Sequence, residues 1–130
     1  MKPTVFVQAN RRQMFGARIS AFSFRRRSRS PDDFNVRIVD IADFPLLADR
    51  GHSVLRDGFV RTWDPDDLQS FTPLRFAPPK LMGFEGRAVV VDPDCFAVGD
   101  TSQSDFAIEH VSFFVLLCVR GDGERQAERS

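Results

Sequence analysis

Arg87-Ala-Val-Val-Val-Asp-Pro-Asp-Cys95 carries an unbroken apolar run, Ala88 to Val91, straight into two aspartates separated by one residue. A strand with no polar position is buried on both faces, as in the interior of a parallel sheet. In open sheets of that kind ligands lie at the carboxyl ends of the strands, which is where this one delivers Asp92 and Asp94. Two carboxylates held close raise one another's pKa unless a cation sits between them. A hard divalent ion whose shell is completed by diphosphate oxygens suits such a pair. The competing reading is an ordinary acidic turn after a strand, a setting in which Asp-Pro-Asp is common.

The chain has a second such triplet, Asp64-Pro65-Asp66, followed by Asp67. There the residues fit a helix start: a side-chain acceptor, proline at the first helical position, and acids facing the positive end of the dipole. Asp64-Pro65-Asp66 is therefore expected to be structural and Asp92-Pro93-Asp94 functional.

Working outward, Thr4-Val-Phe-Val-Gln-Ala9 is β-branched and aromatic and reads as a first strand. Phe15, Ile19 and Phe22 recur at helical spacing between Gln13 and Arg27, which predicts an amphipathic helix laying that stripe on the sheet. Ser30-Pro-Asp-Asp33 makes a turn, and Phe34 to Ile41 reads as a second strand. Strand, helix, strand in this order implies a parallel crossover and an α/β class, a three-layer sandwich with a mainly parallel sheet. Ala42 to Ser70, interrupted by Pro45, Gly51, Gly58 and Pro65, reads as a long variable connection. Phe71, Leu74, Arg75 and Phe76 then sit at helical spacing before Pro78-Pro79.

At 130 residues and 42% hydrophobic content the chain supports one compact core. Lysine plus arginine equals aspartate plus glutamate at 18 each, so no overall field draws it to nucleic acid or to an anionic membrane. Any basic partner site must be local. The basic run Phe24-Arg-Arg-Arg-Ser-Arg-Ser30 suits a helix C-terminus, where cations meet the negative end of the dipole, and no nucleic-acid motif accompanies it. Val111 to Val119, the longest apolar run, is shorter than the roughly 20 residues that span a bilayer. Cys95 and Cys118 make neither a disulfide framework nor a metal cluster, which points to a cytoplasmic location. His52 and His110 are too scattered for a zinc site.

Thr4 to Asn10, the helix after it, Phe71-Thr-Pro-Leu-Arg-Phe-Ala-Pro-Pro79 and Gly86 to Val98 together resemble the N-terminal half of glycogenin-like and lipopolysaccharide galactosyltransferase-like glycosyltransferases. The resemblance covers residues 4–100 and implies a partial GT-A fold, a nucleotide diphosphate sugar such as a UDP-hexose, and Mn2+ or Mg2+ as cofactor. It implies hexosyl transfer to an acceptor hydroxyl. Asp92 and Asp94 match the Asp-X-Asp motif that holds the metal, Asp92 also meeting the ribose. Arg75 matches an arginine that reaches the donor sugar or diphosphate, and its planar fork suits phosphate oxygens. Ala9 and Asn10 match positions set against the uracil and ribose, although an asparagine there also suits a helix N-cap. Lys80 is a second cation near the diphosphate.

By the same resemblance residues 1–100 are the nucleotide-sugar-binding part, and 101–130 are a divergent, partly disordered tail. The family's later histidine ligand has no match at His110. The expectation is a truncated chain, weak in metal affinity and not competent for transfer alone. The alternative is a non-catalytic nucleotide-binding domain or an interaction module.

Overall fold

The computed structural model describes residues 2–101 and the backbone of 115–119. A four-stranded sheet forms the centre, in the order β2-β1-β5-β6. Its strands are β1 (Thr4–Ala9), β2 (Asn35–Asp40), β5 (Gly86–Val91) and β6 (Val115–Val119). β1 pairs in parallel with β2, from Thr4 opposite Asn35 to Ala9 opposite Asp40, and with β5, from Thr4 opposite Ala88 to Val7 opposite Val91. β6 runs antiparallel along β5, so part of the apolar run Val111 to Val119 closes one edge as a strand. The class is mixed α/β, as the strand and helix alternation requires.

Alternation along the strands sends two apolar sets to opposite faces. Val5, Val7, Ala9, Val89 and Val91 pack with Phe34 and Val36 against Ala17, Ala21 and Phe24 of α1 (Met14–Arg26). Phe6, Val39, Ala88 and Val90 pack on the other side with Ile41, Phe71, Leu74 and Met82. Each buried valine or phenylalanine contributes about 1.5–3 kcal/mol relative to exposure, so the two faces together hold the sheet between its covers.

The helix stands where it was expected, but with a different face inward. Phe15, Ile19 and Phe22 are 78%, 43% and 64% exposed, and the buried stripe is Ala17, Ser20, Ala21 and Phe24. Both stripes have helical spacing, and packing decides between them. Small residues let α1 approach the chain that follows β5, and a Cβ on Gly16 would meet the Pro93 carbonyl oxygen at 3.1 Å. Along this edge Ser20 Oγ donates to the Cys95 carbonyl, Ala97 N donates to Ser23 Oγ, and Thr101 Oγ1 donates to the Phe24 carbonyl. Residues 93–101 are thereby laced to α1, which fixes the Asp92-Pro-Asp94 turn.

The connection after β2 carries more order than its punctuation suggests. A short helix α2 (Pro45–Ala48) leads into the hairpin of β3 (Ser53–Arg56) and β4 (Phe59–Thr62). Asp57 and Gly58 have φ of 53° and 78°, the double positive-φ geometry of a two-residue hairpin turn. Asp-Gly between two short apolar pairs, Val54-Leu55 and Phe59-Val60, is the signal that marks it. In place of one helix from Leu68 to Met82 there is a 3-10 turn, Thr72–Phe76, and then α3 (Pro78–Leu81). Pro78 and Pro79 occupy the start of α3, where their missing N–H groups cost nothing. The expectations for His110 and for residues 120–130 lie outside the described residues.

Candidate functional site

The chain passes from β1 out to β2 and returns to β5 on the other side of β1. The strand order therefore reverses between β1 and β5, the position at which open α/β sheets form a crevice beyond their carboxyl ends. A cleft of about 710 Å³ lies there, walled by Asp92, Pro93 and Asp94, by Arg12 and Phe15 at the start of α1, and by Phe71 and Arg75. Its size is that of small-molecule sites generally.

Asp92 is half-buried, and its Oδ1 accepts a hydrogen bond from Gln8 Nε2 at 2.5 Å. Asp94 is exposed. Cys95 N donates to the Asp92 carbonyl at 3.1 Å, closing the turn that holds the two acids side by side in sequence. Among the described residues neither carboxylate has a cationic side chain within ion-pair distance. The other triplet is the opposite case. Asp66 is buried and ion-paired to Arg11 at 3.0 Å and to Arg50, and Arg50 also reaches Asp64 at 2.9 Å. Those bonds hold the Asp66 carboxyl below its ordinary value, the Arg50 hydrogen bond leading and burial opposing. No helix starts at Asp64. Its Oδ1 accepts from Asp66 N at 2.9 Å to make a tight turn, so the acids are structural by a different device from the one expected.

Arg75 lines the cleft, and its Nε donates to the Thr72 carbonyl at 3.1 Å. Both Nη groups are left without a protein acceptor among the described residues. The structure thus brings Arg75, Asp92 and Asp94 to one cleft and adds Arg12, Gln13 and Gln69, which sequence reasoning passed over. Arg12 and Gln13 carried a signal, since they open the helix after β1, the segment that borders the crevice in this topology.

Three other expected site residues stand elsewhere. Ala9 is fully buried in the core beneath α1. Asn10 is fully buried and its amide is consumed: Oδ1 accepts from Gln13 N at 3.1 Å, while Nδ2 donates to the Asp67 carbonyl at 2.7 Å and to Ser70 Oγ at 2.9 Å. It caps the turn Arg11–Gln13 and ties it to the loop before Phe71, leaving no group to read a base. Lys80 is exposed on α3 and is not among the residues walling the cleft.

Among the described residues no group of three or more histidine, cysteine, aspartate or glutamate side chains is placed to hold a metal. His52 stacks on Trp63 with ring centroids 5.8 Å apart and takes no part. What the cleft does offer is hard oxygen. The amide oxygens of Gln13, a lining residue, and of Gln8, which is not among the lining residues, are buried without a hydrogen-bond partner. Uncompensated buried acceptors are costly, so each is a local strain on the fold. Among the described residues the two carboxylates fall short of the roughly six oxygens a hard divalent cation takes, so a ligand would have to supply the rest. Cys95, half-buried beside the pair, has its thiol pushed up chiefly by burial, with a backbone hydrogen bond at Asp92 opposing and the charges of Asp94 and Asp92 adding to the rise, which favours the protonated thiol.

The chain matches no protein-family model, no curated protein and no solved structure.

Proposed function

We propose that the β1/β5 cleft binds a nucleotide diphosphate sugar together with Mn2+ or Mg2+, as a partial GT-A site. One observation carries the reading: two aspartates without a cationic partner and two arginines wall the same crevice at the point where the strand order reverses. Asp92 and Asp94 hold the metal jointly with the diphosphate, and the metal neutralises charge on the leaving diphosphate when bound. Arg75 and Arg12 pair with phosphate oxygens, for which the guanidinium fork is suited. Phe15, Phe71 and Phe96 supply aromatic walls for the uracil or sugar ring. Gln8 orients the Asp92 carboxylate.

The activity this site would serve is hexosyl transfer to an acceptor hydroxyl. The limited donor set among the described residues favours binding over turnover in the chain as it stands, the reading of a nucleotide-binding domain. Calorimetry with uridine diphosphate in the presence of manganese tests it. Heat of binding is expected with both together and little with manganese alone, and Asp94→Asn is expected to remove it. An isotherm unchanged in Asp94→Asn, or no binding by the wild type, refutes the assignment.

A further inference from the structure

We propose that the outward face of α1 docks on an anionic lipid surface. Phe15 and Arg12 border both this face and the cleft, whereas Arg18, Ile19, Phe22 and Arg26 belong to this face and do not wall the cleft.

At about 3.6 residues per turn, Phe15, Ile19, Phe22 and Arg26 lie on one arc, opposite the buried arc of Ala17, Ser20, Ala21 and Phe24. Two phenylalanines and an isoleucine are thus the most outward residues of the helix, all exposed. Scattered exposed apolar residues are ordinary, but a continuous stripe on the side away from the core marks an interaction surface.

Charge says what the surface fits. From Arg11 to Ser30 the chain has seven arginines and no acid, although the whole chain is neutral. Arg11 pairs with Asp66 and Arg29 with Asp100, while Arg25 donates to the Val36 carbonyl. Arg12, Arg18, Arg26 and Arg27 are exposed and have no acidic partner among the described residues. An apolar stripe flanked by unpaired arginines is the pattern of a helix lying in a membrane interface, with apolar side chains in the acyl boundary and cations among anionic headgroups. A single-stranded nucleic acid also attracts arginine. It stacks its bases on separate aromatic platforms, however, and Ile19 has no ring to offer in the middle of the stripe. Among the described residues no helix is long and apolar enough to cross a membrane, so the contact is peripheral.

The test is co-sedimentation of the whole chain with vesicles of phosphatidylcholine alone, and of phosphatidylcholine and phosphatidylserine in equal parts. Binding is expected to the mixed vesicles only and to weaken with salt. Arg18→Gln with Arg26→Gln should lower partitioning roughly 30-fold, from the attraction of each arginine to an anionic surface. Ile19→Gln with Phe22→Gln should lower it roughly tenfold through lost apolar insertion. None of these four residues walls the proposed ligand cleft, so an unchanged thermal midpoint serves as the folding control. Equal binding to both vesicles, binding to neither, or binding that survives both double variants overturns the proposal. So does tighter binding to a single-stranded oligonucleotide that is indifferent to Ile19→Gln and Phe22→Gln, which would assign the face to nucleic acid.

Discussion

Gln8 Nε2 donates to Asp92 Oδ1, joining the end of β1 to the residue that follows β5. Val7 stands opposite Val91 in the parallel register, so the next residue of each strand meets the other at the rim of the sheet and on the same face. The amide can face the carboxylate only with its nitrogen, since the reversed orientation would set two acceptors against each other. Gln8 is 3% exposed, and its other amide atom has no partner. The rim is therefore held in an orientation at the cost of an unsatisfied acceptor.

Replacing Gln8 by glutamate puts a second carboxylate against Asp92 in a buried setting. Like charges there raise one another's pKa, so Gln8→Glu should lose about 2 kcal/mol of stability at neutral pH and regain it on acidification. Millimolar Mg2+ or Mn2+ should also restore it, because the variant completes a hard oxygen site. Urea unfolding with and without the metal reads both effects. A variant as stable as the wild type at neutral pH would show that the two side chains do not meet in solution.

Asn10 acts as a cap and a tether, not as a ligand contact. Asn10→Ala removes three hydrogen bonds in a buried place and should cost about 3 kcal/mol. Asn10→Asp keeps the cap acceptor but turns a buried, unpaired carboxylate oxygen on the Asp67 carbonyl, and should lie at or below alanine in thermal midpoint at neutral pH. An Asn10→Ala chain that keeps its stability and loses only uridine diphosphate binding would return Asn10 to the nucleotide.

Asp66 makes stability depend on acid pH in a stated direction. Its folded pKa is lowered, chiefly by the Arg50 hydrogen bond, from an ordinary value of 3.8. The stabilisation is fully present above that value and is lost as pH falls from it through the depressed folded value. Asp66→Asn should be less stable than wild type at neutral pH, the difference narrowing below about pH 4 and shrinking in high salt, since Arg50 is well exposed. Denaturation midpoints across that range, in low and high salt, check it. A difference that stays constant with pH would remove the ion pair from the account.

The strands were legible because each is a short apolar or β-branched run bounded by turn residues. The run Thr4 to Ala9 coincides with β1, and Ala88 to Val91 falls two residues short of the start of β5 at Gly86. The Asp57-Gly58 hairpin was also written in the chain and was passed over among the Pro and Gly interruptions around it. Of the expected site residues, Arg75, Asp92 and Asp94 share the cleft. Ala9 and Asn10 lie at the same end of β1 but turn inward, and Lys80 stands on α3 away from the lining.

The sequence by itself determined that this is an α/β chain with a mainly parallel sheet and β5 in its interior, because that information lies in neighbouring residues: the four adjacent apolar positions Ala88 to Val91 cannot have a wet face. Only the tertiary structure decided which stripe of α1 is buried and what the two acidic triplets do, because those outcomes depend on partners distant in the chain. Phe15, Ile19 and Phe22 lost the core to a stripe of small residues only because residues 93–101 need to approach α1 closely. Asp66 is neutralised by Arg50, 16 positions away, and Asp92 is held by Gln8 across 84 positions. Two triplets of the same composition thus became a saturated ion-pair cluster and an open pair of carboxylates, a distinction made by which side chains the fold carries to each.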